Sequence, residues 1–262
     1  MNIVHYIKAK SLEEAWQLNQ KRSAVILGGC CWLRMSPRRT LATAIDLTGL
    51  GLDEIHETEE AFYIGAMVPL RQLETSDSLE VFTQGAMKES LRHIVGTQFR
   101  NLATVGGSIW GRFGFSDVLT LFLALDAEVD LYKGGRVPLS VFAEQKADTD
   151  ILKGVYLPKK KRQTAYASLR LNATDFPVLA CAVSRTADGV SCSVGARPMR
   201  AQVRCLPAGT GMTPDDADRA AKEVADSLSF EDNMRASRVY RHDMATVLCR
   251  RLFLQTAGEG RK

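Results

Sequence analysis

Two glycine pairs constrain this chain more than any other feature of its sequence. They lie in "AVILGGCCWL" (24–33) and in "LATVGGSIWGRFGFSD" (102–117), each after an apolar, strand-like run. A Gly-Gly pair lets a backbone pass close to another object. It also lets successive N–H groups converge on one point and form a nest for anionic oxygens. Neither loop has the G-x-G-x-x-G spacing of a Rossmann turn, and neither runs on into G-K-[ST] as a P-loop does. The sequence therefore predicts two strand-loop nests able to hold the two phosphates of one dinucleotide from opposite sides. For either loop taken alone, a plain glycine turn or bulge is the competing reading.

The pattern around the loops is mixed α+β. "SLEE" (11–14) reads as a capping box, with Leu12, Ala15 and Trp16 on one helical face. "AVIL", "AIDL" and "AFYIGAMVP" read as short strands. The stretch from Leu79 to Val95 has helical spacing, and Gly96 is placed to end it. "DVLTLFLALDA" reads as an apolar helix with Asp117 at its start. "AEVDLY" and "VPLSVF" read as strands about a "KGG" turn, and "DILKGVYLP" as a further strand. "PVLACAVSR" and "VSCSVGARP" flank "ADG" as a hairpin. "TPDD" (213–216) opens a helix whose apolar face is Ala217, Ala221, Val224 and Leu228, and a last helix spans about 237–255 before a frayed "AGEGRK" tail. A boundary is expected near Lys160–Gln163.

Composition narrows the function classes. A net charge of +4 does not by itself indicate nucleic acid. The basic stretch from Lys159 to Arg204, with nine Lys/Arg and two Asp/Glu, lacks the interleaved aromatics of a single-strand binder. It reads as a solvated edge or as a face for an acidic partner subunit. Six cysteines show no zinc or iron–sulfur spacing, so most are expected to be reduced thiols. No apolar run is long enough to span a membrane, and no signal-peptide core is present. The expectation is a cytoplasmic protein. His5, His56, His93 and His242 are scattered and suggest no metal site. Trp32 and Trp110 are expected to pack rather than stack on a ligand.

Several ordered motifs together resemble the FAD-binding medium subunit of the molybdenum hydroxylases, the flavoprotein subunit type of carbon monoxide dehydrogenase and xanthine dehydrogenase. They are "LGGCCWL", "FYIGAMVPL", "RNLATVGGS", "SDVLTLFLALDAEVDL", "ILKGVYLP" and "RASRVYRHDMATVLCRRLF". The resemblance runs from about Val4 to Phe253. It implies a PCMH-type (vanillyl-alcohol-oxidase-like) FAD fold in two α/β subdomains over 1–160, and a small C-terminal sheet-plus-helix domain over 161–262. It implies that Leu27, Gly28, Gly29, Cys30, Cys31, Trp32 and Leu33 line the FAD pyrophosphate. Ala103, Thr104, Gly106, Gly107 and Ser108 would form the second loop. Ser116 and Asp117 would bind the adenosine ribose side, and Ile94 and Leu152 would pack near the flavin.

The implied activity is electron transfer in a complex. A molybdopterin large subunit would hydroxylate the substrate, an iron–sulfur small subunit would relay electrons to FAD on this chain, and NAD or another acceptor would take them. In this sequence Cys30-Cys31 stand where the family carries Thr or Ser and a polar residue, Ser108 where it carries Asn, and Ser168 where many members carry Lys. The "WGRFGFSD" loop is bulkier than usual, and Arg112 is expected to add a cation near phosphate. These departures motivate a rival reading, a scaffold subunit that has lost FAD. A stand-alone flavin oxidoreductase is the other alternative.

Overall fold

The computed structural model of the chain describes residues 1–21 and 23–258. Three sheets follow one another along it. The first is parallel, with strands β1 (Asn2–Lys8), β2 (Ala24–Leu27) and β3 (Thr40–Asp46) in the order β1-β3-β2. Helix α1 (Leu12–Asn19) connects β1 to β2, and the short α2 (Cys31–Met35) follows β2. The capping box forms with a shift. Ser11 Oγ accepts from Glu14 N at 3.1 Å, but the Glu14 carboxylate reaches back to Lys10 N at 2.7 Å instead of to Ser11. Ala15 of α1 is buried with Ile45, Leu47 and Leu52, which seals this sheet on one side.

The second sheet is antiparallel, with β4 (Ile55–Glu57), β5 (Ala61–Gly65), β6 (Glu128–Leu131), β7 (Gly135–Pro138) and β8 (Leu152–Pro158) in the order β4-β5-β8-β6-β7. Between β5 and β6 run six helices: α3 (Leu70–Glu74), α4 (Asp77–Thr83), α5 (Ala86–Leu91), α6 (Thr97–Leu102), α7 (Val105–Trp110) and α8 (Asp117–Ala124). The stretch read as one helix over 79–95 is two. Gln84 and Gly85 take left-handed backbone between α4 and α5, which rotates the apolar faces apart. Val81 is left outside, while Met87 and Leu91 are buried. "VPLSVF" is a strand only as far as Pro138; helix α9 (Leu139–Glu144) then turns Leu139, Phe142 and Ala143 inward.

The third sheet is an antiparallel meander, with β9 (Gln163–Leu169), β10 (Leu179–Arg185), β11 (Val190–Gly195) and β12 (Gln202–Leu206) in the order β12-β11-β10-β9. The expected hairpin is β10–β11. Strand alternation divides its faces, as a period of two requires. Ala180 and Ala182 join the core around α8, whereas Leu179, Cys181 and Val183 join the core under α10 (Pro214–Asp226) and α11 (Arg238–Ala257). Covered on every side, α8 is buried along its whole length. Its Thr120 carbonyl accepts from Ser193 Oγ at 2.5 Å, which ties the third sheet to the second unit. Thr213 caps α10 with Pro214 in its first turn, and Ala217, Ala221, Val224 and Leu228 are buried as expected. Of the predicted frayed tail, residues 259–262 lie outside the described residues.

The basic stretch near residue 160 is partly internal. Lys159 Nζ pairs with Glu57 at 2.6 Å, and Arg162 turns inward to donate to the carbonyls of Leu125 (2.9 Å) and Pro158 (3.0 Å). Lys160 and Lys161 remain exposed. Arg241, from the "SRVYR" motif, is also buried. Its guanidinium donates to the carbonyls of Val178, Glu231 and Ala236 and to Asn233 Oδ1 at 2.6–2.9 Å, locking the start of α11 onto β10 and the preceding loop. Arg241→Met keeps the volume but leaves four acceptors unpaired. We expect it to lose about 3 kcal/mol of stability, read as a lower urea midpoint at unchanged slope.

Candidate functional site

A cavity of about 500 Å³ lies where the three units meet. One wall is the loop from β2 into α2. A second is formed by the segments 93–95, 99–108 and 113–118. The third comes from the loop at 170–176 that joins β9 to β10. The volume is that of a cofactor or small-ligand site.

The first glycine loop owes its path to close backbone contact. A Cβ on Gly29 would lie 1.8 Å from the Leu102 carbonyl oxygen, so only glycine fits there. Cys30 follows in left-handed backbone (φ 58°) and opens α2 without a side-chain cap. Among the described residues, none of the backbone N–H groups from Gly29 to Leu33 finds an acceptor; the first donor after them is Arg34 N, bonded to the Cys30 carbonyl. Five successive unpartnered donors in a segment that borders the cavity, with a residue in left-handed backbone among them, meet the backbone requirements of an anion nest.

The second glycine loop is built differently. It is not a strand followed by a turn: Thr104 caps α7, and both glycines sit in the first turn of that helix. Its donors are already used. Val105 N bonds Val68 O at 3.0 Å, Gly106 N bonds Ala66 O at 2.7 Å, Gly107 N bonds Thr104 Oγ1 at 3.1 Å, and Ser108 N bonds Thr104 O at 3.1 Å. Gly106 faces away from the cavity, where a Cβ would meet Ala66 O at 2.7 Å, whereas Gly107 lines the cavity. The expectation of two opposed nests thus resolves into one nest and one close-packed wall.

Thirteen of the sixteen predicted site residues border this cavity: Gly28, Gly29, Cys30, Cys31, Trp32, Leu33, Ile94, Ala103, Thr104, Gly107, Ser108, Ser116 and Asp117. Leu27 ends β2, Gly106 packs on Ala66, and Leu152 is buried in the second-sheet core, so these three do not. Arg112 is not near the nest. Its guanidinium lies 3.7 Å from the centre of the Phe142 ring and donates to the carbonyls of Phe142 and Trp110. Trp110 packs on Phe142, as expected of a structural ring. Trp32 is at the cavity, packed among Phe113, Phe115 and Phe176 with ring centres 5.2–5.6 Å away.

Asp117 and Ser116 have partners of their own. Ser116, not Asp117, caps α8: its Oγ accepts from Leu119 N and donates to the Ser108 carbonyl at 3.0 Å. The Asp117 carboxylate is buried and accepts from the Tyr166 hydroxyl and from Arg170 Nη2, the latter at 2.6 Å. Burial pushes the Asp117 carboxyl up, against the opposing pull of Arg170 and the Tyr166 phenol. The phenol itself is pushed well up by burial and by the carboxylate. Burial also raises the Cys30 and Cys31 thiols, helped by Asp46 for Cys30 and by Cys30 for Cys31, so both are neutral, free thiols near pH 7.

Arg170, Phe113, Phe115, Phe176 and His93 are cavity residues that sequence reasoning did not select. The two phenylalanines carried a local signal, an alternation within "RFGF" beside the glycine pair. Arg170 carried none, because its partner Asp117 lies 53 positions away.

Residues 2–160 match the model of the FAD binding domain in molybdopterin dehydrogenase. The chain belongs to that family. FAD is the cofactor of the family, and the first loop fits it: a dianionic pyrophosphate needs convergent donors, and Gly29–Leu33 supply them without displacing an internal bond. Among curated relatives, the chain is 25% identical to the nicotine 6-hydroxylase medium subunit of Paenarthrobacter nicotinovorans over 274 residues, 96% of each chain. It is 27% identical to the uncharacterized protein YgfM of Escherichia coli K12 over 98% of each chain. A chain in the solved structure of reconstituted CO dehydrogenase from Oligotropha carboxidovorans superposes with a TM-score of 0.86 over 99% of both chains, at 22% identity. The PCMH-type α+β fold expected from the sequence is therefore the fold observed. No helix among the described residues is long and apolar enough to cross a membrane.

The two glycines of the second pair separate the fold from the cofactor. Gly106→Ala should lower stability by about 1–3 kcal/mol through its clash with Ala66. Gly107→Val, whose Cβ would press on the Thr104 hydroxyl at 3.2 Å and on no backbone atom, should stay folded and soluble with a smaller loss of stability than Gly106→Ala, and lose at least ~100-fold in FAD affinity, about 2.7 kcal/mol. Thermal melts and flavin-fluorescence titrations of the two variants check both.

Proposed function

We propose that this chain is the FAD-binding, electron-transferring medium subunit of a molybdenum hydroxylase-type complex. In this reading its partners are an iron–sulfur small subunit and a molybdopterin large subunit. Electrons released by hydroxylation in the large subunit reach this chain through the clusters and leave to NAD or another acceptor. Residues 1–160 serve as the FAD-binding domain and 161–262 as the C-terminal domain of the flavoprotein type. The complex works in the cytoplasm.

The observation that carries the reading is the row of unpartnered amides from Gly29 to Leu33 lining a cavity in a chain of this family. Full-length similarity to a relative named as a medium subunit supports the place in a complex. Among the described residues no group of three or more His, Cys, Asp or Glu could hold a metal ion. Bound FAD supplies the conversion between one-electron and two-electron transfer.

The chain's own residues bind and orient the cofactor. The amides of Gly29–Leu33 take the pyrophosphate, each bond to a charged oxygen being worth about 1.5–3 kcal/mol. Ala103, Thr104, Gly107 and Ser108 form the facing wall. Asp117, held by Arg170 and Tyr166, and Ser116 border the adenosine side. Arg170 is already committed to Asp117, so neutral dipoles carry most of the anion's stabilisation.

Isolation of the native complex through a tag on this chain tests the proposal. We expect one FAD per chain, iron and molybdenum in the co-isolated subunits, and bleaching of the flavin band when the acceptor couple is supplied as NADH. A chain isolated alone, colourless and unable to take up FAD, would contradict the reading and favour a scaffold that has lost its cofactor.

A further inference from the structure

The loop from α5 into α6 places a strained residue at the mouth of the cavity. Val95 takes left-handed backbone (φ 50°), although it is β-branched and Gly96 stands beside it in extended conformation. A branched residue at positive φ is a genuine outlier, and such outliers persist only when their surroundings enforce them. Val95 is nevertheless 46% exposed, so burial of its side chain does not explain the strain.

The enforcing contact is identifiable. Arg100, buried on α6, donates Nε and Nη2 to the two oxygens of Glu74 at 2.7 and 3.1 Å. Its remaining nitrogen, Nη1, reaches the Ile94 carbonyl at 3.1 Å. Glu74 is buried as well and is held again by Arg71 at 2.8 Å. A fork whose two prongs are fixed by a carboxylate is a rigid donor for its third acceptor. It fixes the carbonyl immediately before Val95 and so the turn that presents Val95. Backbone bonds at both ends, Ile94 N to Leu91 O and Arg100 N to Gly96 O, leave the loop little room to relax.

The cavity's chemistry says what this lip faces. Around the loop the lining is mostly apolar, with Leu70, Ile94, Val95 and Phe99 and with His93 beside them. The charged pair Asp117–Arg170 and the aromatic group of Trp32, Phe113, Phe115 and Phe176 belong to the segments at 113–118 and 170–176. The apolar benzenoid edge of an isoalloxazine matches the first lining, and a purine and ribose match the second. We propose that Val95 covers the flavin ring at the mouth of the cavity, and that Arg100, acting from Glu74, is the positioning residue that holds it there. The assignment rests on FAD occupying this cavity.

Val95→Gly separates this role from a structural one, because glycine adopts the same backbone without strain. The variant should melt at the same temperature as the unaltered chain or higher. It should nevertheless weaken FAD binding about three- to tenfold, on the scale of one lost apolar contact. Iodide should quench the bound flavin's fluorescence at least twice as effectively in the variant. Arg100→Lys keeps a charge against Glu74 and gives up the fork, and should raise iodide access in the same way. FAD uptake by the unaltered chain together with unchanged affinity and quenching in Val95→Gly would overturn this assignment alone. Failure of the unaltered chain to take up FAD would overturn it along with the reading on which it rests.

Discussion

Everything at the site depends on the contact between the first glycine loop and the backbone at Leu102–Ala103. Gly29 lies against the Leu102 carbonyl at a separation that admits no side chain. That contact brings the first sheet against the α6–α7 segment and sets the segment with the unpartnered amides of Gly29–Leu33 beside the cavity. Any residue larger than glycine would push the two units apart and open the cavity on one side. The anion nest is thus a product of tertiary packing as much as of loop conformation.

The two glycine pairs divide the work between them. The first leaves its donors free and faces a cavity. The second spends all of its donors internally, on Val68, Ala66 and Thr104, and acts as a stiff wall. A stiff wall opposite a nest suits a site whose ligand is long and must be held in one orientation, since little ordering is left to be done on binding. The third wall, from the C-terminal unit, adds Arg170 and Phe176. Because Arg170 is neutralised by Asp117, the site meets an anionic ligand mostly with dipoles, which favours one placed along the amide row over anions in general.

Much of this was legible in the sequence where the signal is local. The short strand ending in Gly28-Gly29, the helix start at Thr213-Pro214 and the β10–β11 hairpin follow from nearest-neighbour patterns. The second loop misled because "LATV" has strand composition; the helix begins there because Thr104 caps it and because Val105 and Gly106 bond outward to the β5–α3 connection. Gly96 was the natural choice for a left-handed turn, yet Val95 takes it, because a buried arginine binds the Ile94 carbonyl and overrides local preference. Arg170 with Asp117, and Arg112 with Phe142, are pairings over long sequence separations that no window of the chain reveals.

In the proposed function the amides of Gly29–Leu33 hold the cofactor's pyrophosphate and those of Val105–Ser108 do not. Amide hydrogen exchange on the purified chain, with and without saturating FAD, measures this directly. Fast exchange across 29–33 in the free chain and strong protection there on binding are expected, with 105–108 protected throughout. Protection gained at 105–108 while 29–33 stays unchanged would contradict this reading.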